Sequence, residues 1–429
     1  MPTRAQRNPK TPRGTPCGAV VAEQVAAADE IRRLVTAEGA VALSGSAAVV
    51  DRVVRWTAAR SAARAATDPS WDEDVERRWA AAAATALRLL GDRGRGLAGA
   101  GRLRAAATAQ LVAALAESGG RRARRTAGVV RRDDRARGGR DLLKPDLHDP
   151  AAATAIIRSG WGADAVRVLL EYRDAIPHLE VAVGDRLLVD GPWEWGTSVD
   201  GRPLDAEGAW TVAGWESGRK AAFLEIAAPL AGGLRLERQV VMLRRQRIVV
   251  LADAVVPADA AGGGSDGAAD GELAHRATVR LAAGLGGEAA AETREVIVGD
   301  DAPRFMTLPL ALPEWRAAGR GGLVVADGTL ALEQVGHRRM YAPLWLDCDP
   351  RRIGRPLTWR QLTVADTRRN LPAHQAAGFR VQAGTRQWLL YRALDQPRNR
   401  TLLGCNVSAG FLCGRIKRSG EVARTLEIE

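Results

Sequence analysis

The sequence predicts an α+β multidomain protein in which a short N-terminal α-helical region precedes a large antiparallel β-sandwich. Two observations lead to this fold class. Residues 19–118 are rich in alanine and follow helical periodicity, whereas residues 153–429 contain many short strand-like runs separated by turn residues. Because few helical segments interrupt those runs, the strands are expected to pair in antiparallel sheets that pack face to face.

The helical region is predicted to contain roughly three to five helices joined by short turns. The clearest helix begins in the stretch DPSWDEDVERRW, where Asp68 or Ser70 is a candidate N-cap and the first turn is acidic. Gly91 is expected to end it. Residues 1–18 are rich in proline and arginine, and we predict that they form a disordered tail.

Residues 119–152 are predicted to be a basic linker between the two parts of the chain. The formal net charge is +12, and arginine is concentrated in residues 121–140. A basic block of this kind can bind nucleic acid or an acidic polymer. No aromatic residue interleaves with the arginines and no nucleic-acid motif surrounds them, so a solvated linker is the favoured interpretation and nucleic acid is not the expected partner.

Within the sandwich, three local features stand out. The stretch SGWGAD places Trp161 between two glycines, which predicts a buried ring at the entry of the sandwich. The stretch DAAGGGSDGAADGE at residues 259–272 is predicted to be a flexible loop between strands. Cys405 and Cys413 could form a disulfide across a hairpin, but two free thiols are the favoured interpretation.

The composition excludes several classes of protein. Hydrophobic residues make up 46% of the 429 residues, so a sizeable core is available and global disorder is excluded. There is no apolar signal-peptide region and no membrane-spanning apolar run, so the chain as written is expected to be cytoplasmic, with export conceivable if the true start codon lies elsewhere. No P-loop, nucleophile elbow, zinc-protease motif or dinucleotide fingerprint occurs, so no cofactor is predicted.

Three stretches of the sandwich resemble the heparinase II/III-like polysaccharide lyases. AIIRSGWGADAVRVLLEY resembles the family's opening turn and long strand, and HLEVAVGDRLLVDG resembles the strand pair that ends in Leu-Val-Asp-Pro-Gly. GRKAAFLEIAAPLAGGLRLERQVVMLRRQRIVVLADAV resembles the following segment, in which a Gly-Gly turn precedes arginine-rich strands. The resemblance covers roughly residues 153–255; beyond them only the strand pattern agrees.

The resemblance implies a helical toroid joined to a sandwich, with acidic polysaccharides cleaved by β-elimination in the cleft between them. The 100 or so helical residues imply that the toroid is reduced here. The family's His-rich loop is shortened to RDAIP, residues 173–177, which contains no histidine. By position, therefore, no catalytic residue of the family carries over. Some relatives hold a structural metal in the sandwich, but no cluster of metal ligands is found in this sequence.

β-Elimination from a uronate needs a cationic or hydrogen-bonding group for the carboxylate, a base and an acid. If residues 337–341 form a strand, His337, Arg339 and Tyr341 project from one face and could supply all three groups. The alternative is an ordinary polar sheet face. Tyr172 and His178 flank one tight loop and form a second candidate catalytic pair, with a capped hairpin as the alternative.

The tryptophans suggest where a polysaccharide could bind. Trp193, Trp195, Trp210 and Trp215 are close in sequence, and flat rings exposed in a groove can stack on sugar faces. The alternative is that these rings belong to the sandwich core.

Two functions follow from the sequence. The first is a heparinase II/III-like protein that acts on or binds acidic polysaccharide, with β-elimination at uronate residues as the implied chemistry. The second is a non-catalytic sandwich that binds glycans or protein partners and has lost lyase activity. A cleft lined by tyrosine, histidine and arginine favours the enzyme, whereas a filled apolar cleft favours the binding protein.

Overall fold

A computed structural model describes residues 17–65, 71–91, 105–118, 120–132, 142–258, 271–317 and 319–429. It confirms the predicted fold class, because helices at the N-terminal end precede a series of antiparallel sheets. Most of the predicted tail at residues 1–18 and of the predicted loop at residues 259–272 lies outside the described residues. No helix within the described ranges is both long and apolar enough to cross a lipid bilayer.

Five helices are found in the described part of the N-terminal region: α1 (Cys17–Leu34), α2 (Ser46–Ala65), α3 (Glu73–Leu89), α4 (Ala105–Ser118) and α5 (Arg121–Arg132). Asp72 caps α3, since its carboxylate accepts a 2.8 Å hydrogen bond from the Val75 N–H. The predicted caps Asp68 and Ser70 lie outside the described residues. The predicted acidic first turn is present, and α3 ends just before the predicted stop at Gly91.

The stretch predicted to be a basic linker, residues 119–152, contains ordered elements. Helix α5 occupies part of it, and its Ala123, Ala127 and Val130 are buried in the core of the helical region. Small apolar residues at helical spacing between the arginines are the sequence signal of this helix. The first strand of the sheets also begins before residue 152, so sheet and helices are closely connected here.

The strands, numbered β1 to β26 in chain order, form four sheets. Sheet 1 has nine strands: β1 (Leu147–Asp149), β2 (Thr154–Arg158), β3 (Val166–Glu171), β4 (His178–Val183), β5 (Arg186–Val199), β6 (Arg202–Pro203), β11 (Glu272–Leu281), β15 (Gly322–Ala326) and β16 (Thr329–His337). Its spatial order is β1-β2-β3-β4-β5-β11-β16-β15, with β6 paired to β5. All of its paired strands are antiparallel.

The other three sheets follow the same antiparallel pattern. Sheet 2 has eight strands: β7 (Thr211–Ser217), β8 (Ala221–Leu230), β9 (Leu234–Leu243), β10 (Ile248–Pro257), β12 (Gly286–Ala289), β13 (Val296–Gly299), β14 (Pro303–Pro309) and β17 (Met340–Asp347). Sheet 3 has five: β18 (Leu357–Leu362), β21 (Ala376–Ala383), β22 (Arg386–Ala393), β25 (Phe411–Ile416) and β26 (Val422–Ile428). Sheet 4 has four: β19 (Val364–Asp366), β20 (Arg369–Leu371), β23 (Arg400–Leu402) and β24 (Cys405–Val407).

The sheets stack in the order 1, 2, 3, 4, and the helices cover the free face of sheet 1. One apolar core joins sheets 1 and 2, a second joins sheets 2 and 3, and a third joins sheets 3 and 4. Strand β10 lies in the central part of this stack, and its sequence reflects burial on both faces. Leu251 and Val255 face sheet 1, whereas Val250 and Ala254 face sheet 3, so both faces of the strand are buried and its sequence is almost continuously apolar.

Charged side chains of sheet 1 form hydrogen bonds to the backbone at the C-terminus of α3 and next to the N-terminus of α2. Arg167 donates to the Leu89 carbonyl at 2.7 Å and Arg158 donates to the Leu90 carbonyl at 2.9 Å, both at the C-terminus of α3. Glu171 accepts a 3.0 Å hydrogen bond from the Gly45 N–H, next to the N-terminus of α2. Cations at a helix C-terminus and carboxylates at an N-terminus are each stabilising, so these contacts define how the helices lie on the sheet.

Candidate functional site

A histidine and three carboxylates meet on the helix-facing side of sheet 1. Glu171 lies directly opposite His178 in the β3–β4 pair, and Glu180 lies opposite Asp190 in the β4–β5 pair. Directly opposed residues and residues two apart on one strand share a face. The His178 Nε2 atom lies 3.5 Å from Glu180 Oε1 and 3.7 Å from Asp190 Oδ1. The Ser46 N–H of α2 donates to Glu180 at 2.8 Å, so this cluster bridges sheet and helices.

The electrostatics of this cluster favour a charged histidine. The Glu180 carboxylate, 3.5 Å from the imidazole, raises the pKa of His178 above its ordinary value, against the opposing effect of burial. Burial raises the pKa of Glu180, but the nearby His178 and the hydrogen bond from Ser46 outweigh it and lower that pKa overall. Burial and the neighbouring Glu180 raise the pKa of Asp190. The group therefore holds a proton on His178 more firmly than a solvated imidazole does.

The same cluster has the donor set of a divalent cation site. A ring nitrogen of His178 and one carboxylate oxygen each of Glu180 and Asp190 all lie within 4.8 Å of one another. Among the described residues, neither His178 Nε2 nor Glu180 Oε2 has a hydrogen-bond partner, although both atoms are buried. An imidazole nitrogen with two carboxylates suits Zn²⁺ or a similar ion. The prediction that the sequence holds no cluster of metal ligands is therefore corrected: His178 and Glu180 are two residues apart on β4, and strand pairing brings Asp190 of β5 beside them.

Tyr172 and His178, predicted as a catalytic pair, lie on opposite faces of sheet 1. Tyr172 directly follows Glu171, the residue opposite His178, and its ring packs into the core between sheets 1 and 2. The partner of Tyr172 is His148 on β1, whose Nε2 lies 3.0 Å from the tyrosine hydroxyl. The His148 ring in turn lies 4.6 Å from that of Trp215. Sequence reasoning missed His148 because nothing in the local pattern links β1 to the end of β3.

Burial acts on both members of this tyrosine–histidine pair. It raises the pKa of Tyr172 to about 12, with a further contribution from Asp149, and it lowers the pKa of His148. Near neutral pH the pair therefore consists of a protonated phenol and a neutral imidazole. One can give a proton and the other can take one, although both side chains are largely enclosed.

His337, Arg339 and Tyr341 do not lie on one strand. Strand β16 ends at His337 and β17 begins at Met340, with Arg338 between them in the left-handed region at φ 61°. Tyr341 is 2% exposed, and its hydroxyl donates a 2.9 Å hydrogen bond to Gln239 Oε1 in the core. This burial raises the pKa of the phenol. His337, Arg339 and Tyr341 nevertheless line one cavity, with His374, which the sequence analysis did not single out.

The four tryptophans predicted to bind sugar divide into two kinds. Trp193 and Trp210 are buried and lie on the Arg238 guanidinium, at 4.0 and 5.5 Å from their ring centroids. Their burial corrects the prediction, since neither ring can stack on a ligand in this conformation. Trp195 and Trp215 are half-buried, so part of each ring remains accessible. The spacing of the tryptophans in PWEWG is the same for rings in a groove and rings in a core, because both arrangements place the rings on one face.

A depression lies where the helical region meets the edge of sheet 1. Its volume is about 330 Å³, and it is lined by residues of α1, the loop after it and the β1–β2 turn. Arg33 and Arg173 are exposed on its wall. Within the described part of the chain neither forms an ion pair, and Arg173 only donates a long 3.4 Å hydrogen bond to the Ala152 carbonyl. Tyr172 adjoins this wall, since its N–H donates to the Ala153 carbonyl at 2.9 Å.

Comparison with known proteins identifies the fold. No protein-family model and no curated protein matches the chain. The heparan sulfate lyase HepC from Pedobacter heparinus superposes with a TM-score of 0.56 at 11% identity, over 87% of this chain and 62% of that one. The heparinase III-BT4657 gene product gives 0.57 at 8% identity, over 86% and 61%. A crystal structure of heparinase III gives 0.51 at 12% identity, over 86% and 63%.

The chain therefore has the fold of the heparinase III lyases, with helices on one face of stacked antiparallel sheets. This confirms the predicted resemblance as far as the fold is concerned. The chain spans 61% to 63% of the length of these three structures. At 8% to 12% identity the likeness establishes architecture and not activity.

Proposed function

We propose that the protein binds an acidic polysaccharide in the depression between the helical region and sheet 1. The observation that carries this proposal is the exposure of Arg33 and Arg173 on the wall of the depression without a carboxylate partner among the described residues. Guanidinium groups pair with carboxylate and sulfate groups through directed hydrogen bonds. The heparinase-type fold supports the substrate class, since the neighbours include a heparan sulfate lyase.

Binding without turnover is the form of this function that the tyrosines support. All three tyrosines of the chain are buried, with exposures of 2%, 2% and 0% for Tyr172, Tyr341 and Tyr391. A phenol that serves as acid or base must reach the substrate. The shortened loop at residues 173–177 also contains no histidine. We therefore expect a glycan-binding protein on a lyase scaffold.

The double variant Arg33→Gln/Arg173→Gln tests the binding site. We expect its affinity for heparan sulfate to fall by about tenfold or more, because two charge-assisted contacts are lost. Isothermal titration calorimetry at two salt concentrations measures this, and the parent's affinity should weaken as salt rises. Arg386→Gln removes an exposed arginine at the start of β22 on sheet 3 and serves as the control. Unchanged affinity in the double variant, or equal binding of uncharged dextran, would contradict the proposal.

A second function, β-elimination, is supported by one observation, the 3.0 Å contact between the Tyr172 hydroxyl and His148 Nε2 beside the depression. His148 could accept the proton from the uronate carbon while Tyr172 protonates the leaving oxygen, and Arg173 could neutralise the carboxylate. The proton taken from carbon and the proton given to the leaving group balance over one turnover. An opening motion of the β1–β2 turn is required for substrate to reach both groups.

Tyr172→Phe tests this second function. If the parent produces unsaturated uronate, seen as rising ultraviolet absorbance with heparan sulfate, we expect the variant to lose about 10²–10⁴ in rate. Tyr341→Phe removes an equally buried hydroxyl and is the matched control. A selective loss in Tyr341→Phe would instead assign the chemistry to the originally predicted group of His337, Arg339 and Tyr341. A parent that binds heparan sulfate and releases no unsaturated product leaves binding as the function.

A further inference from the structure

A second cavity lies far from the depression, near the opposite edge of sheet 1. Its volume is about 310 Å³. It forms where the hairpin between β16 and β17 meets β18 and the turn before β21, so residues of sheets 1, 2 and 3 contribute to its wall. Sheet 1 begins with β1 at the depression, whereas β16 is next to its other edge strand. The two sites are therefore separate.

The cavity brings one arginine and two histidines together. His337 and Arg339 line it from the hairpin and His374 lines it from the turn before β21, with the two imidazole rings 6.3 Å apart. Arg338 lies in the same hairpin. Burial lowers the pKa of His374, and the nearby Arg338, His337 and Arg339 lower it further. The lowering of the His374 pKa by the neighbouring arginines indicates a positive electrostatic potential in the cavity.

The lining of the cavity differs from that of a metal site. Among the described residues that line it, none is an aspartate or glutamate. Asp395 acts on His374 from a distance, but it is already engaged in an ion pair with Arg400. The polar lining is completed by Gln334 and Gln361. An arginine in a lining without a carboxylate favours an anion over a metal ion.

One hydrogen-bond donor in this wall lacks a partner. The Nε atom of Arg339 is buried and, within the described part of the chain, donates to no acceptor. A buried guanidinium N–H without an acceptor costs free energy of folding. An anion with several oxygens would accept from this N–H and from the neighbouring imidazoles at the same time.

We propose that this cavity binds a small tetrahedral oxyanion, either a free phosphate or sulfate ion or the corresponding ester group of a larger ligand. Arg339 supplies the charge and the unsatisfied donor, and the imidazole of His374 supplies a further donor from the turn before β21. A ligand held there joins the β16–β17 hairpin to sheet 3. The proposal does not depend on the proposed polysaccharide site, since no residue is shared between them.

Calorimetric titration with sodium phosphate and with sodium sulfate, at constant ionic strength set by sodium chloride, tests the proposal. We expect saturable binding of at least one oxyanion by the parent and a loss of about tenfold or more in Arg339→Gln, with partial recovery in Arg339→Lys. His374→Gln, at the rim, provides a second variant if Arg339→Gln is unstable. Arg386→Gln is the control and should bind as the parent does.

Separate outcomes identify the source of the oxyanion. Competition between heparan sulfate and inorganic sulfate at this site assigns it to ester groups of the polymer, whereas saturation by inorganic phosphate or sulfate without such competition assigns it to a free ion. Absence of saturable binding of both ions by the folded parent overturns the proposal. Parent-like binding in both Arg339→Gln and His374→Gln overturns it as well.

Discussion

Asp253→Ala is expected to lower the free energy of unfolding by about 3–5 kcal/mol, because it leaves a buried arginine without its counter-charge. Arg238 and Asp253 are both fully buried between sheets 1 and 2, and two hydrogen bonds of 2.8 and 2.9 Å join them. His275 Nε2 lies 3.0 Å from the second Asp253 oxygen, and Thr197 lies 2.8 Å from His275 Nδ1. Chemical denaturation at neutral pH measures the loss.

The double variant Arg238→Met/Asp253→Leu is the control for this prediction. Replacing both charges with apolar side chains removes the uncompensated ion, so much of the stability should return. A double variant as unstable as Asp253→Ala would show that shape and not charge explains the loss. A change near zero in Asp253→Ala itself would contradict the buried ion pair. Although Thr197, His275 and Asp253 are arranged like a hydrolytic triad, all three are buried, so we assign the group a structural role.

The same carboxylate predicts a pH dependence. Burial raises the pKa of Asp253, but Arg238 and His275 outweigh burial and lower it to about 2. A carboxyl whose folded pKa is depressed stabilises the fold above its unfolded pKa of about 3.9 and loses that contribution as pH falls. In Asp253→Asn, the decrease in stability between about pH 4 and pH 2 should therefore be smaller than in the parent. Parallel curves for parent and variant would contradict this assignment.

Trp161→Ala is expected to cost about 3–5 kcal/mol, the usual range for removing a buried aromatic side chain. The ring is 7% exposed and belongs to the core shared by the helices and sheet 1. Its Nε1 donates to the Leu143 carbonyl at 3.0 Å, and the Arg158 guanidinium lies 4.8 Å from its centroid. Because Arg158 also binds carbonyls at the end of α3, loss of the ring should loosen the helices first.

Hydrogen exchange followed by mass spectrometry locates this effect. Protection should fall at the C-terminal end of α3 and in β2 before it falls in β22 of sheet 3. Trp315→Ala is the matched control, since that ring is 51% exposed and its removal should change stability by less than about 0.5 kcal/mol. Equal loss of protection in all sheets would show that Trp161 supports the whole fold and not the helix–sheet contact.

The sequence was informative wherever local periodicity specifies local structure. The short strand-like runs separated by turn residues, and the helical spacing and acidic first turn of α3, were sufficient to place helices before sheets. The resemblance in residues 153–255 was sufficient to predict a heparinase-type sandwich. The buried Trp161 also follows from its position between two glycines. In all of these cases the interacting residues are close in sequence or share one element.

The candidate sites depended on contacts that no local pattern contains. Glu171 meets the Gly45 N–H across 126 residues, and Tyr172 meets His148 from another strand. A shift of one residue along a strand moves a side chain to the opposite face, which is why Tyr172 and His178 separate although they flank one loop. His337, Arg339 and Tyr341 were predicted to share one face of a single strand. In the structure they lie in the hairpin between β16 and β17, because Arg338 adopts a left-handed turn conformation.

By itself, therefore, the sequence determined the order of helices and sheets, the apolar content of the strands and the likeness to the heparinase fold. Only the tertiary structure decided which polar groups meet: Arg33 with Arg173 at the depression, His178 with Glu180 and Asp190 on the helix-facing side, and the two histidines with Arg339 in the second cavity. The physical reason is that periodicity encodes which face of a strand is buried, whereas the neighbours across that face come from strand register and sheet stacking.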